Sequence, residues 1–454
     1  MKKTIILLCL LLLAFTGCNN GESSQDSNKN LPKDAVCIEL SDNQIKVDGD
    51  KVSFDPSDSV YVGNDIVYYE EGKDFTYGEG TSEESHSIEE AKAHTVVHIT
   101  KPGTYGISGN LSKGQIAVDL GEEAKEDPNA VVTLIMNDCD VTCEVAPAVI
   151  FYNVYECGDT DLENASKDVD TSKAGANVVI ADGTTNNING SYVAKIYKPG
   201  TVVLNDDKTE VEDAKKLHKY DGAFYSKMSM NIDGDKEGTG VLNIKANNEG
   251  LGTELHLTIN GGDINIESGN DGINTNEDSV SVTTINGGNL NIKVTGETGE
   301  GDGIDSNGWL VINGGKVVAT ACSDSQDAGI DSDMGIYLNG GTVVASGHML
   351  DRIEDGGQNY VVFNTREKQI GSEKVYIKDQ DGNIISDLII SNDYSVLLYS
   401  SSDIGEAGYT LWDEETQIGE SGQSMMVGPG MNGMRPGEME PPNGMAPPDG
   451  FRPR

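Results

Sequence analysis

Asn-Gly-Gly recurs at Asn260, Asn286, Asn313 and Asn339, at intervals of 26, 27 and 26 residues, with Asp233 of NIDGD as a weaker earlier member. A fixed period of that size is the signature of a solenoid, in which each unit cannot bury its own apolar face and stacks on its neighbours to do so. Each copy keeps the same order of parts. A Gly-apolar step comes first, in Asp221-Gly-Ala-Phe, Glu249-Gly-Leu, Asp271-Gly-Ile, Asp302-Gly-Ile and Ala328-Gly-Ile, and short apolar runs then flank the Asn-Gly-Gly. In LTINGGDINIE, TTINGGNLNIK, LVINGGKVVAT and YLNGGTVVAS the apolar residues alternate with period two. Leu257, Ile259, Ile264 and Ile266 therefore point one way and Thr258 and Asp263 the other, which is strand and not helix periodicity. Short strands joined by glycine turns predict an all-β chain folded as a parallel β-helix, each coil about 4.8 Å above the last. The inward ladder would be Ile259, Ile285, Ile312 and Leu338, and the four Asn would hydrogen-bond along their own column inside the corner.

The domain boundaries follow from where this pattern holds. It runs in looser form through HTVVHITKPGTYGISGNL and AVVTLIMNDCDVTCEVAPAVIFYNV, so the stack is expected over 36–350, with an insertion at about 55–93 that carries a short helix near Ile88 to Lys92. Residues 351–412 read as antiparallel strands forming a small C-terminal β cap on the open end. Residues 413–454, rich in Gly, Pro and Met, are expected to be disordered. At the other end, MKKTIILLCLLLLAFTGCNN combines two lysines, an apolar run too short to span and small residues before Cys18. It predicts a lipoprotein signal over 1–18, lipid on Cys18, a polar tether over 19–35, and an extracellular protein held to the cell membrane by that anchor alone. Phe15 stands where such signals usually carry Leu, and a plain secretory signal is the alternative.

Charge narrows the partners. With 75 acidic against 32 basic residues the formal net charge is −43, which repels nucleic acid and anionic lipid. Beyond Cys9 and Cys18, Cys37, Cys139, Cys143, Cys157 and Cys322 show no zinc or iron spacing; a disulfide among Cys139, Cys143 and Cys157 and burial as small hydrophobes are both open.

Stacking the turns brings the acids together. Glu249, Asp271 and Asp302 share one column, Asn274, Asp305 and Asp331 a second, and Asn276, Asn307 and Asp333 a third, with Asp221 opening the series. Carboxylates one coil apart repel by about 1 kcal/mol even in water. Carboxylates, Asn oxygens and the carbonyls of glycine turns are what a hard divalent cation takes. A solvated face of good turn residues explains the same pattern, and the residues alone leave the two open.

HITKPGTYGISGNLSKGQIAVDL, VTLIMNDCDVTCEVAPAVIFYN, DGAFYSKMSMNIDG, the DGINTN, DGIDSNG and GIDSDMG turns, and YSVLLYSSSDIGEAGYTL together resemble the clostridial carbohydrate-binding β-helix family. These are surface proteins similar to polysaccharide lyases of the pectate-lyase type, and the likeness covers roughly residues 36 to 412. It implies a right-handed parallel β-helix, bound Ca2+ at the acidic turns, and binding of cellulose-like and polygalacturonate polymers, such as those of plant cell walls, without established cleavage. The chain departs from the pattern at Ala328, where the turn acid is replaced, and at the insertion.

Two further readings concern the ligand. Sugar sites pair aromatic platforms with hydrogen-bonding groups, and by alternation Trp309 and Tyr337 point outward, which makes them the candidate polysaccharide contacts. A lyase would need calcium and a Lys or Arg base, for which Lys227, Lys245, Lys293 and Lys316 are available but also fit solvent-facing strand positions. The expected function is non-catalytic binding of polysaccharide; a calcium-dependent pectate lyase and a structural surface protein are the alternatives.

Overall fold

The computed structural model describes residues 31–422 apart from 159 and 406. The expected signal with Cys18, residues 19–30 of the tether and residues 423–454 of the tail lie outside the described residues. Among the described residues the chain is all-β, with two short helical segments at Ile88–Lys92 and Glu122–Glu126.

Successive repeats pair in parallel and in register. One ladder contains Met230–Gly234, Leu257–Ile259, Val282–Ile285, Trp309–Ile312 and Gly335–Leu338, with Ile232, Ile259, Ile285, Ile312 and Leu338 in a single column. A second contains Val241–Ala246, Asp263–Ser268, Asn289–Val294, Lys316–Thr320 and Thr342–Gly347, with Leu242, Ile264, Leu290, Val317 and Val343 aligned. The third contains Gly222–Ser226, Glu249–Thr253, Ile273–Thr275 and Ile304–Ser306. Residues of all three ladders meet in one apolar core, and each fully buried Ile contributes about 1.5–3 kcal/mol.

The earlier half extends the same ladders less regularly, as Val132–Thr142 pairs in parallel with both Gly103–Leu111 and Ala176–Ile180. Both ends change sense. Tyr394–Ser400 runs antiparallel on Thr342–Gly347, and Val60–Gly63 runs antiparallel on Thr95–Ile99. Tyr360–Gln369 covers Tyr394–Ser400 in turn, and a four-stranded antiparallel sheet with its own apolar cluster around Phe363, Ile377 and Leu411 completes the C-terminal part.

One local expectation holds and three are refined. The strand Thr416–Glu420 lies inside the expected tail, because Thr410–Asp413 gains an edge partner there after a tight turn at Glu414, φ 38°. The helix Ile88–Lys92 forms where expected, closed by a capping box between Ser87 and Glu90. The Asn ladder bonds along itself at 2.8, 2.9 and 2.8 Å, but its members are exposed and not inside the corner, since Asn follows an inward Ile or Leu directly. The five cysteines of the described residues are free, and burial pushes the Cys139 and Cys143 thiols up to about 12.

Ile312 is 0 % exposed between Ile285 and Leu338. Ile312→Asp would bury a charge with no partner, and we expect a loss of about 4 kcal/mol or more in chemical denaturation. A midpoint equal to wild type would show that this column is not the core.

Candidate functional site

The third ladder carries the acids. Leu251 pairs with Ile273 and Ile273 with Ile304, so Glu249, Asp271 and Asp302, each two residues earlier, fall in one column. Glycine makes the corner possible. A Cβ on Gly272 would lie 2.1 Å from Ile292 Cγ2 of the second ladder, so only glycine lets the chain turn this close to the core and leave Asp271 and Asn274 on the same side. The Asn274 amide donates to Glu249 Oε1 at 2.9 Å and reaches Asp271 Oδ2 at 3.5 Å. Asp271 accepts from the Asp302 backbone N–H at 2.7 Å, and Asp302 from that of Ala328 at 2.6 Å. Inside the same turns a column of hydroxyls is fully buried: Thr275 and Ser306 lie 2.9 Å apart, and Ser306 Oγ donates to the Trp309 carbonyl at 2.9 Å.

The second column stands as expected, with Asn274 paired to Asp305 and Asp331 set beyond it by the Ile304–Ile330 bridge. The third lies on the rim. Asn307 donates to the Asn276 carbonyl and to Asp278 Oδ1 at 3.0 Å, and Asp333 is exposed. Asp221 is out of register: Gly222, not Asp221, pairs with Glu249, because Asp221-Gly-Ala-Phe has one residue more than Glu249-Gly-Leu before the apolar anchor. Its carboxylate ion-pairs with Lys219 at 3.0 Å. Two acids escaped the sequence reading. Asp327, one place before Ala328, accepts from the Gly301 N–H at 2.6 Å, and Asp351 accepts from the Ser332 N–H at 3.2 Å, extending the acidic face past the last repeat.

Burial sets the electrostatics. It pushes the Asp271 carboxyl up to about 7, against the Asp302 N–H that lowers it, and Asp305 and Asp331 up to about 8, with Asp271, Asp333 and Asp351 adding repulsion. Glu249 and Asp302 are raised well above the carboxylate range, by burial first and by neighbouring acids second. Glu249 Oε2 and Asn274 Oδ1 are buried with no hydrogen-bond partner. Among the described residues no three His, Cys, Asp or Glu side chains are grouped to hold a metal ion. A cation in this column would therefore draw on the Asn274 oxygen, backbone carbonyls or water beside one or two carboxylates, a donor set that suits a hard ion.

The predicted sugar contacts share one outward face of the first ladder. Trp309 is half-buried two residues before Val311, and Val311 pairs with Tyr337, whose ring lies under Lys167 Nζ at 5.1 Å. Of the four candidate lysines, Lys245 ion-pairs with Glu267 at 3.2 Å, and Lys293 and Lys316 lie on the second ladder. Lys227 lies in a separate cleft with Lys216, Lys219, His218 and Glu254, and burial and Lys125 lower its pKa.

A stack of parallel ladders edged by buried acids and an amide row defines a class of β-protein with polar, repeat-built faces. Residues 93–390 match the family model described as carbohydrate-binding domain-containing protein, and the chain belongs to that family. It is 28% identical over 272 residues to a carbohydrate-binding domain-containing protein of Acetivibrio thermocellus, a match spanning 59% of this chain and 66% of that relative. A solved structure titled as the polysaccharide lyase-like protein from C. thermocellum, gadolinium derivative, is similar at 20% identity with a TM-score of 0.37, over 68% of this chain and 92% of that one.

The raised carboxyls fix a sign. Unfolded, they titrate near 4, so their favourable protonation in the folded state is fully present below about pH 4 and is lost as pH rises through about 7 to 8. With divalent ions chelated, the melting temperature should therefore fall between about pH 5 and 8. The Asp302→Asn, Asp305→Asn double variant should flatten that fall. Parallel pH profiles for the two proteins would show that the column carries no such strain.

Proposed function

We propose that this protein is a calcium-binding, non-catalytic polysaccharide-binding protein of the bacterial surface, anchored through lipid on Cys18. We further propose that its three ladders are the faces of a right-handed parallel β-helix. The in-register pairing of one strand per ladder in each repeat supports that architecture. Membership of a carbohydrate-binding family supports the ligand class.

The observation that carries the calcium reading is the pair of orphaned oxygens, Glu249 Oε2 and Asn274 Oδ1, beside Asp271 in a column that repels itself. A buried acceptor without a donor costs roughly 1–3 kcal/mol, more when charged, and a divalent cation offsets both that cost and the repulsion. Asn274 with one or two of Glu249, Asp271, Asp302, Asp305 and Asp331 are the side chains we assign to any one ion, the rest of its shell coming from backbone carbonyls and water. Calcium held on this face with open positions would bridge the acidic protein to uronate carboxylates that it otherwise repels.

Calcium at a hundredfold excess over its Kd should add about 2.7 kcal/mol to stability. Polygalacturonate should be retained in millimolar calcium and released by EGTA, in a pull-down that Asp302→Asn with Asp305→Asn disables. Equal retention in EGTA would remove calcium from the mechanism.

A calcium-dependent lyase is the second reading, and Lys227 is the observation in its favour: a half-buried lysine with lowered pKa, just past the end of Gly222–Ser226 in a cleft with Lys216, His218 and Glu254. Release of unsaturated uronides, followed by ultraviolet absorbance and lost in Lys227→Ala, would establish it. We expect no such release.

A further inference from the structure

A polar trench runs along the outward face of the first ladder, a cavity of about 330 Å³ that the acidic columns do not line. Its floor is the outward column of paired residues Thr258, Thr284 and Val311. One wall is the Asn ladder. The other is the segment 167–172, which leaves the strand order between Val149–Asn153 and Ala176–Ile180 and lies over the sheet. That segment is fastened at both ends. Thr171 Oγ1 lies 2.6 Å from Thr258 Oγ1 and the Thr171 carbonyl accepts from the Asn231 amide at 2.8 Å, while Lys167 sits over Tyr337 three strands along.

The trench repeats with the protein. Asn260, Asn286, Asn313 and Asn339 supply one amide per strand, so the wall spans three steps of about 4.8 Å, roughly 14 Å. Each ladder bond uses one N–H of an amide that has two and one lone pair of an oxygen that has two. A donor and an acceptor per strand therefore remain, at fixed spacing and on a side chain whose rotamer the ladder already holds. Such pre-ordered amides suit vicinal hydroxyls, and their cost of ordering on binding is small.

Charge selects among polymers. Lys167 is paired with Asp168 at 2.5 Å and Asp170 lies beside them, so the strap adds no net positive charge to a chain already at −43. Polyanions are disfavoured in the trench, and its lining is too polar for an apolar ligand.

We infer that this trench is a binding site for an uncharged, extended polysaccharide strand lying parallel to the stacking direction, independent of calcium and separate from the acidic turns. The inference rests on the reading that the protein binds polysaccharide, and it assigns a second ligand class to a second face.

Calorimetric titration with cellohexaose, xylohexaose and mannohexaose, each in EGTA, tests it. At least one should bind the wild type, and Thr284→Trp, which fills the floor from an outward position, should weaken that binding at least tenfold while calcium-dependent retention of polygalacturonate is unchanged. Hydrogen exchange on the wild type gives a readout that needs no variant: the bound oligosaccharide should slow exchange in residues 167–172. Binding of none of the three, equal affinity in Thr284→Trp, or no added protection of 167–172 would each overturn the trench. Retention of polygalacturonate in calcium would then leave the proposed function standing, whereas loss of all glycan binding would end both.

Discussion

The three ladders over residues 230–347 depend on parallel strands pairing without slippage, so that a residue stands directly over its equivalent in the next repeat. That constraint acts differently on different chemistry. Ile259, Ile285 and Ile312 gain by it, since like apolar surfaces pack on one another. Asn260, Asn286 and Asn313 gain as well, because an amide is donor and acceptor in one group and can satisfy its own copy. Glu249, Asp271 and Asp302 cannot. A carboxylate only accepts, so a column of them is left with repulsion and orphaned oxygens that the backbone N–H groups of Asp302 and Ala328 relieve only in part. The acidic face is thus the place where the repeat works against itself, and the place where an outside cation has most to offer.

The regular part of this arrangement was legible in the sequence. The 26- and 27-residue intervals gave the column of Asn, the alternation around it gave the inward Ile ladder, and the D-x-x-[DN] spacing gave the second acidic column, because a strict register turns sequence period into spatial neighbourhood. What escaped lies where the period breaks. Ala223 shifts Asp221 by one place, and a one-residue shift is invisible until the apolar anchors Phe224 and Leu251 are seen paired. Asp327 and Asp351 join the acids from outside the aligned motif. Nothing in the composition of segment 160–172 says that Thr171 docks on Thr258, 87 residues away. The side on which the Asn ladder faces is not legible for a related reason: alternation fixes it only if the residue after the inward Ile is still counted as strand.

Separate ladders also keep separate chemistries apart. The acids occupy the turns of the third ladder, while the amide row edges the first. A chain of net charge −43 can therefore keep its buried acids on one face and an amide row on another. Trp309 and Tyr337 belong to the second kind of face, on the same ladder as the amide row.

The antiparallel strands at the two ends have a meaning beyond closure. Tyr394–Ser400, itself covered by Tyr360–Gln369, closes the second ladder at one end, and Val60–Gly63 closes the sheet of the third ladder at the other, so neither of these two edges offers a parallel strand on which another molecule could continue the pattern. Duplication of a single repeat would insert one more strand into each ladder, displace the cap as a unit, and lengthen every face by the same increment of about 4.8 Å. The length of every face is then a copy number, which descent can adjust one repeat at a time without redesigning either end.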